Sequence, residues 1–401
     1  MPILRRTGRW AVTSTYALRR RDRAPFLERI FLHVGLEKTG TTTLQVAMAV
    51  NRQLLRRYGY VFPEGLDNFS SYHIGLALWA AANSGTVPEL RHAAGLTSRK
   101  AYDTFLQSYP RQIARELARS GGHTAILSNE HCSSRLGTVA EISKIHQIIA
   151  PLARECRVII YLRRQDELVT SHYSTAVRSG ATHEFYFPKG IVWLDYLNLL
   201  EMWAQVFGKE NLSVRIFEPQ QLKDRDLLTD FFSTIGFTRY DELRRPRDQN
   251  QSFDRYVLEF LRRFNAHSSI GAESGVNCDR RRVEEALAAI TTRECLRPNA
   301  EAAAAFLSQF AASNAEVARR FLNREDGVLF ARAPLRDQQA RLPTLDVDRA
   351  IAIAVALWQW QEARLRARMK ERSQPPHRSA LTRLFHCSFV ARCDRLLESN
   401  D

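Results

Sequence analysis

The sequence lacks the cysteine patterns and long apolar segments that would identify a zinc protein, a disulfide-rich protein or a membrane protein. Its 401 residues include six cysteines, but there is no C-x-x-C pair and no histidine spacing suited to zinc. No apolar run approaches the length of a membrane-spanning helix. A chain of this size buries enough apolar surface without disulfides, so we expect free thiols in a reducing, cytoplasmic compartment. The cysteines are Cys132, Cys156, Cys278, Cys295, Cys387 and Cys393.

The N-terminus also lacks the pattern of a signal peptide. Its apolar stretch at residues 10–12 is short, hydroxyl residues interrupt it at 13–15, and three arginines follow at 19–21. A secretory signal needs a longer apolar segment. The sequence therefore predicts a basic extension over residues 1–28, either solvated or lying on an anionic membrane surface.

Acidic residues are outnumbered by basic ones. The chain holds 58 Lys and Arg against 43 Asp and Glu, which gives a net charge of +15 and a pI near 9.9. A chain this basic is expected to have an anionic partner. Charge alone leaves nucleic acid, an anionic membrane, a polyanionic acceptor and an anionic cofactor open.

Short apolar segments alternate with helical patterns in the first half of the chain. The predicted strands are residues 30–34, 124–128, 157–162 and 212–217, with a short extended piece near 60–63. One predicted helix begins at Thr41, and three more cover residues 140–150, 164–178 and 191–207. Strands joined through helices form a parallel sheet with helices on both faces, and such sheets bind ligands at the carboxyl ends of their strands. The predicted fold class is therefore α/β.

The segment from Glu37 to Thr43 joins the first predicted strand to the next helix. It contains one lysine, one glycine and four threonines. A strand that turns into a helix points free backbone N–H groups and the positive end of the helix dipole outward. Lys38 and the threonine hydroxyls add charge and donors, so the segment predicts a site for a phosphate-like anion. The simpler alternative is a threonine-rich start of an ordinary helix.

This segment does not fit the nucleoside-triphosphate loop G-x-x-x-x-G-K-[ST]. Gly35 and Gly40 have the required spacing, but Thr41 and Thr42 stand where Lys and Ser or Thr should follow. Lys38 precedes the second glycine and cannot reach a γ-phosphate as the Walker lysine does. A nucleotide kinase on this fold would also need a metal-binding Asp at a strand end, which the sequence does not offer.

A second motif follows the third predicted strand. Arg163 ends that strand, and Ser171 lies eight residues later in the next helix. A helix carries the serine two turns onward, so its hydroxyl and the forked arginine donor can converge on one phosphate. The neighbouring Arg164 either shares this role or faces solvent.

These two motifs, in this order on successive strands, resemble those of the bacterial sulfotransferase family, in which a strand–K-[ST]-G-T-[TS]–helix loop and an Arg–Ser pair bind 3′-phosphoadenosine 5′-phosphosulfate (PAPS). The resemblance covers residues 29–265. It implies a P-loop NTPase-like sulfotransferase fold, followed over 266–401 by helices that pack on the core and a basic tail. The implied ligands of the 5′-phosphosulfate are Lys38, Thr39, Gly40, Thr41, Thr42 and Thr43, and those of the 3′-phosphate are Arg163 and Ser171.

The sequence departs from the family pattern at two points. Arg164 and Gln165 replace the Asn-Pro or Asp-Pro that usually follows the arginine. A third cofactor segment of the R-K-G type is not evident, and the arginines at 280–282 are weak substitutes. The resemblance therefore depends on the lysine loop and the Arg–Ser pair.

Transfer to an acceptor needs a general base, and three residues are candidates. Glu130 and His131 follow the second predicted strand, and His73 precedes a helical stretch. In similar families a Glu or a His near the equivalent strand end performs this role. His33 lies within a strand and is expected to pack, and His172 is expected to be structural.

The resemblance implies an enzyme that moves a sulfuryl group from PAPS to an acceptor hydroxyl or amine without a metal. The acceptor is a small molecule or saccharide, with a carbohydrate preferred, and nucleic acid is not an expected partner. An aromatic loop at Phe185, Tyr186 and Phe187 is either a sugar platform or a packing cluster. The alternatives are a nucleotide kinase and a non-catalytic binder of an anionic glycan or nucleotide.

Overall fold

The computed structural model describes residues 26–66, 72–82, 88–246, 253–267, 278–291, 295–331 and 345–373. Most of the predicted N-terminal extension and the basic tail after residue 373 lie outside these ranges, as do residues 67–71, 83–87 and 247–252 of the region 29–265. The chain divides into two compact units. The first is Met1–Ala176, Glu184–Ser252 and Leu296–Arg341, and the second is Val177–His183, Phe253–Cys295 and Leu342–Asp401.

The described part of the first unit is built on a five-stranded parallel sheet. Its strands are β1 (Leu27–His33), β2 (Tyr60–Val61), β3 (Thr124–Ser128), β4 (Ala153–Leu162) and β5 (Leu212–Ile216). Their order in the sheet is β2-β3-β1-β4-β5, and every neighbouring pair is parallel. The central strand β1 therefore lies between β3 and β4. The predicted parallel α/β sheet flanked by helices is confirmed.

Helices connect the strands and continue after the sheet. In chain order they are α1 (Thr41–Val50), α2 (Arg52–Arg57), α3 (Gly75–Ala80), α4 (Pro88–Ala93), α5 (Arg99–Arg119), α6 (His131–Ser134), α7 (Val139–Ile149), α8 (Gln165–Arg178), α9 (Tyr196–Phe207), α10 (Leu227–Thr234), α11 (Arg255–His267), α12 (Cys278–Ile290), α13 (Ala300–Ser308), α14 (Ala311–Leu322) and α15 (Val347–Ser373). Within the described ranges, none of them is both long and apolar enough to cross a membrane.

Local sequence signals explain several helix starts. α7 begins with a capping box in which Thr138 and Glu141 satisfy each other's backbone N–H groups. α9 begins after Asp195, whose carboxylate accepts hydrogen bonds from the two N–H groups at positions 197 and 198. This cap explains why α9 starts later than the predicted residue 191.

Strand residues alternate between two apolar cores, one on each face of the sheet. Ile30 and Leu32 point toward the core that contains residues of α3, α5, α7 and α9. Phe31 and Ile159 point toward the core that contains residues of α1 and α10. Both faces of the strands are therefore buried, which explains why they appear in the sequence as continuous apolar runs. Each buried large side chain stabilises the fold by about 1.5–3 kcal/mol.

The described helices of the second unit are α11, α12 and α15. α15 packs on the other two and buries Ile353. Asp254 caps α11 by accepting hydrogen bonds from the backbone N–H groups at positions 256 and 257. Within α11, the buried Glu259 pairs with Arg262 and Arg263.

The cysteines whose state the structure describes are free thiols, as predicted. They are Cys132, Cys156 and Cys295. Burial raises the pKa of Cys156 to about 12, so this thiol is protonated and unreactive near neutral pH.

Candidate active site

Three turns meet at the carboxyl edge of the sheet. One runs from Gly35 to Gly40 after β1, one starts at Asn129 after β3, and one starts at Arg163 after β4. Because β3 and β4 flank β1, the three turns lie side by side. Ser133 Oγ joins the first two by donating to the Gly35 carbonyl oxygen at 3.1 Å. The segments predicted to bind phosphate and to supply a base therefore share one edge.

Gly40 makes the turn from the β1 loop into α1. It is the N-cap residue, with φ 77° in the left-handed region, and no side chain caps the helix. A Cβ here would overlap Leu227 Cδ2, so glycine is required for space as well as conformation. The first helical hydrogen bond runs from Leu44 N to Gly40 O. The N–H groups of residues 41–43 therefore precede the helical ladder and are oriented to bind an anion.

The four threonine side chains of the loop divide into two pairs. Thr39 and Thr41 are buried, and both hydroxyls donate to the Leu36 carbonyl oxygen, at 2.6 and 3.4 Å. These hydroxyls stabilise the loop itself. Thr42 is exposed and Thr43 is half-buried, so of the four hydroxyls these two are accessible to an anion.

Arg163 connects the end of β4 to the β1 loop. Its Nη1 donates to the backbone oxygen of Lys38 at 2.9 Å, and its Nε donates to Glu167 Oε2 at 3.4 Å. The guanidinium lies 5.6 Å from the centroid of the Phe217 ring. Lys38 has φ 65°, a left-handed conformation that is unfavourable for a residue with a side chain. The hydrogen bond from Arg163 therefore helps to hold Lys38 in a conformation that its sequence does not favour.

Ser171 lies on α8, two turns after Arg163. The next residue, His172, places its ring Nδ1 3.7 Å from Glu37 Oε2. This turn of α8 therefore lies beside the β1 loop. The convergence of Ser171 and Arg163 on one phosphate stays a prediction.

Glu37 is the charged centre of the site, a role that the sequence analysis did not assign. Ser134 Oγ and Arg135 Nη1 donate to its Oε1 at 2.7 and 3.2 Å. The rings of His131 and His172 lie 3.5 and 3.7 Å from its two carboxylate oxygens. A single carboxylate thus connects the β1 loop, α6 and α8.

The surroundings of Glu37 keep it ionised. Burial by itself would raise the pKa of this carboxyl, but the contacts from His131 and Ser134 and the charges of His172 and Arg135 lower it to about 2. The guanidinium of Arg135 lies 3.2 Å from the carboxylate and supports its charge even when both histidine rings are neutral. Glu37 is therefore ionised at neutral pH, next to Lys38 in the sequence.

The surroundings of His172, in contrast, favour its uncharged form. Burial lowers its pKa, and Lys38, Arg135 and Arg163 lower it further against the raising effect of Glu37. Burial is the largest of these effects, so the surroundings of the ring favour its neutral form. In the part of the chain that the structure describes, no group of three or more His, Cys, Asp and Glu side chains is placed to hold a metal ion.

Glu130 is held against α1 by a buried amide. Gln45 Nε2 donates to Glu130 Oε2 at 3.0 Å and lies 3.3 Å from Ser128 Oγ, which is 2.9 Å from His33 Nδ1. His33 and Gln45 are buried, whereas Glu130 is half-buried. Burial lowers the pKa of His33 to about 3, and the expectation that it packs is confirmed. Glu130 therefore presents a positioned, partly exposed carboxylate at the sheet edge.

The structure argues against His73 as the base. The side chain is buried, with Nε2 3.0 Å from the Pro63 carbonyl oxygen and Nδ1 accepting from Ser128 N at 2.9 Å. Both ring nitrogens therefore have backbone partners. Burial lowers the pKa of the ring to about 4. His73 fixes the chain segment after β2 against β3 and has a structural role.

Arg164 does not face solvent, contrary to one of the two predictions made for it. Its guanidinium is buried and pairs with Asp166 at 2.7 and 3.0 Å and with Glu167 at 3.3 Å. These carboxylates occupy the first turn of α8, where the helix dipole also favours them. The ion pairs hold Arg164 inside, because a buried charge needs a close partner.

The aromatic loop divides between packing and exposure. Phe185 contacts the Tyr173 ring edge-on at 5.3 Å, and Phe187 stacks on Phe306 at 4.5 Å. Tyr186, in contrast, is 63% exposed. Packing therefore explains the two phenylalanines, and Tyr186 is the exposed member of the three.

Comparisons with known proteins give distant matches. No family model matches the chain. A curated protein of Archaeoglobus fulgidus, described as uncharacterized, is 26% identical over 207 residues, which cover 49% of this chain and 55% of that protein. The chain thus spans about half the length of the curated relative it matches. A solved sulfotransferase from Alicyclobacillus acidocaldarius is 16% identical, with 76% of this chain and 97% of that chain covered and a TM-score of 0.38. A likeness this low carries no argument about activity.

Proposed function

We propose that the chain is a sulfotransferase that moves the sulfuryl group of PAPS to an acceptor hydroxyl or amine. The observation that carries this proposal is the 2.9 Å hydrogen bond from Arg163 to the Lys38 backbone. It joins a loop suited to a 5′-phosphosulfate and a segment suited to a 3′-phosphate at one sheet edge. A nucleotide that carries both groups would meet both sets of donors at once, whereas ATP has no 3′-phosphate.

Sulfuryl transfer depends on the positioning of the donor and acceptor and on stabilisation of the leaving group's charge, more than on covalent catalysis. The acceptor oxygen attacks sulfur in line, and the bond from sulfur to the bridging phosphate oxygen breaks. The electron pair of that bond stays on the 5′-phosphate of the leaving 3′,5′-adenosine bisphosphate. Lys38 and the N–H groups at the start of α1 stabilise this charge. Glu130 takes the acceptor proton, with His131 as the second candidate base.

The acceptor in this proposal is a carbohydrate. Its support is the basic character of the chain, which suits an anionic saccharide, and the exposed Tyr186 ring of the aromatic loop. The finer parts of the proposal are a cytoplasmic location, independence from metal ions and PAPS as the donor.

A melting-temperature screen tests the donor. The full chain is heated with 3′,5′-adenosine bisphosphate, ADP, AMP or ATP with Mg²⁺ at equal concentrations. A ligand present at about 100 times its dissociation constant stabilises the fold by about 2.7 kcal/mol, so we expect the bisphosphate to raise the melting temperature most. Arg163→Ala should abolish this preference. The matched control is Arg154→Ala, an exposed arginine near the amino end of the same strand, which should preserve it.

Two outcomes of this screen favour the other functions. Stronger stabilisation by ATP with Mg²⁺ than by the bisphosphate would favour a nucleotide kinase. Bisphosphate affinity that is unchanged in Lys38→Ala would favour a non-catalytic binder that holds anions elsewhere on its basic surface.

A further inference from the structure

Exposed apolar side chains are concentrated on one helix of the second unit. Of the eleven large hydrophobic side chains that are exposed among the described residues, six lie on α15. They are Val347, Ile351, Val355, Trp358, Leu365 and Met369, and Trp358 and Met369 are each 70% exposed. Single exposed hydrophobic residues are ordinary, but a contiguous group on one element marks an interaction site.

These side chains form a seam along α15. From Ile351 to Met369 the apolar positions follow the alternating spacing of four and three residues that keeps side chains on one face of a helix, with Glu362 as the polar member. The buried Ile353 lies on the opposite face, where α15 packs on α11 and α12. α15 therefore has two apolar faces. Within the described residues one face packs on other helices, and the seam is exposed to solvent.

The width and flanks of the seam favour another helix as the occupant. The stripe is one side chain wide, as in a coiled-coil contact, and narrower than the apolar face of a helix that lies in a membrane. Over residues 352–361 it is flanked by small or neutral exposed residues, which allow a close approach of a second backbone. They are Ala352, Ala354, Gln359 and Gln361.

The charges at the two ends of α15 have opposite signs. Asp346, Asp348 and Arg349 are exposed at its start, which carries one net negative charge. In its second half the exposed Arg366 pairs with Glu362 at 3.2 Å. The sequence adds further basic residues at 368, 370 and 372. An anionic membrane would repel the acidic end. Two α15 helices in antiparallel orientation would place each acidic end against a basic half, whereas a parallel pair would place like charges together.

We propose that the seam of α15 binds a second copy of this chain in antiparallel orientation. The helix has 27 residues and is about 40 Å long, so the seam is long enough to support a dimer contact. The interface repeats the same side chains on both copies, as a two-fold axis requires. The proposal is independent of the sulfotransferase activity, because no residue of the candidate active site takes part.

Light scattering coupled to size-exclusion chromatography tests the proposal on the full chain. We expect a mass that approaches twice the 46.0 kDa of one chain as the protein concentration rises. Leu365→Glu introduces two charges into the symmetric seam and should raise the dimer dissociation constant at least about 30-fold. The matched control is Ala363→Glu, on an exposed position of the same helix outside the seam, which should leave the dimer intact. Circular dichroism shows whether both variants are folded.

Charge exchange tests the orientation. Asp348→Arg should weaken the dimer about threefold, because it removes an attraction between the two copies. If the helices are antiparallel, the double variant with Arg366→Asp should bind more tightly than either single variant, a comparison that allows for the loss of the Arg366–Glu362 pair. Loss of affinity that the second substitution does not restore would overturn the orientation.

Three results would overturn the proposal as a whole. One is a wild-type chain that keeps the mass of a single copy up to about 0.1 mM. Another is an equal loss of dimer in Ala363→Glu and Leu365→Glu. The third is a monomer that sediments with vesicles of phosphatidylcholine and phosphatidylserine and no longer does so in Leu365→Glu, which would assign the seam to a membrane surface.

Discussion

The side chain of Arg163 donates a hydrogen bond to the backbone of Lys38, 2.9 Å away. Lys38 lies in the loop after β1 and Arg163 directly follows the neighbouring strand β4, so the parallel sheet brings them together although the sequence separates them widely. Lys38 has a left-handed backbone conformation, and the bond helps to fix it. In the proposed function Arg163 therefore acts twice, as a support of the lysine loop and as a ligand of the 3′-phosphate.

Arg163→Lys separates these two roles. Lysine keeps the positive charge and can still donate to the Lys38 carbonyl oxygen, so it supports the loop, but without the planar fork it cannot bind a phosphate at the same time. We expect the affinity for 3′,5′-adenosine bisphosphate to fall at least about tenfold, measured by calorimetry, with the affinity for ADP nearly unchanged. Retention of the full bisphosphate preference in this variant would show that Arg163 does not bind the 3′-phosphate.

Gly40→Ala tests the shape of the anion loop. The φ of 77° is unfavourable for alanine, and the new Cβ would overlap Leu227 and lie 3.3 Å from Phe217. We expect a loss of at least about 2 kcal/mol in the free energy of unfolding, together with loss of nucleotide binding. Urea unfolding and a bisphosphate titration measure the two effects.

Two other glycines are matched controls for this substitution. Gly95 also has a positive φ, 67°, but a Cβ there would meet nothing within 4 Å, so Gly95→Ala should cost only the backbone strain of about 1 kcal/mol. Gly137 has neither constraint, and Gly137→Ala should be neutral. A Gly40→Ala variant that behaves like Gly95→Ala and binds nucleotide normally would contradict the assigned role of the loop.

Glu37→Gln tests the carboxylate that connects the β1 loop, α6 and α8. The pKa of Glu37 is lowered from 4.5 to about 2, so its contribution to stability is present above pH 4.5 and is lost as the pH falls toward 2. This linkage corresponds to about 3 kcal/mol. We expect wild type to exceed the variant in free energy of unfolding at pH 7, and the difference to shrink below pH 4.5. Urea unfolding across this pH range measures it, and a constant difference would contradict the assignment.

The sequence predicted the parts of the fold that depend on local pattern. The continuous apolar segments located β1, β3, β4 and β5 to within a few residues, because both faces of these strands are buried. β2 was expected only as an extended piece. It has two residues, Tyr60 and Val61, and becomes a strand through its pairing with β3, which no local pattern reports.

The sequence predicted where on the sheet the candidate site lies, but not the hydrogen bonds and ion pairs that join its residues. Lys38, Glu130 and Arg163 were expected together, because the carboxyl ends of parallel strands share an edge. Glu37 was visible only as an acidic residue beside the lysine, since Arg135 and the other partners come from distant segments. The burial of Arg164 likewise depends on how the start of α8 folds back on it.

His73→Ala separates a structural histidine from a catalytic one. Removing the ring leaves the Ser128 N–H and the Pro63 carbonyl without their buried partner. We expect a loss of about 2–4 kcal/mol in the free energy of unfolding, measured with urea. Below the new melting temperature, the turnover of PAPS should stay within about twofold of wild type. A large loss of turnover in the folded variant would return His73 to the list of bases.

Glu130→Gln tests the proposed base directly. Glutamine has the same shape and can still accept the hydrogen bond that Gln45 donates at 3.0 Å, but it cannot take a proton. If Glu130 is the base, kcat should fall by about 10²–10⁴, measured as release of labelled sulfate from PAPS to water or to a panel of sugars. The affinity for 3′,5′-adenosine bisphosphate should stay unchanged, because the proposed function assigns donor binding to Lys38 and Arg163. His131→Gln is the parallel variant. If it loses turnover while Glu130→Gln keeps it, the proton goes to the imidazole beside Glu37, and the pH dependence of kcat should then change in Glu37→Gln as well.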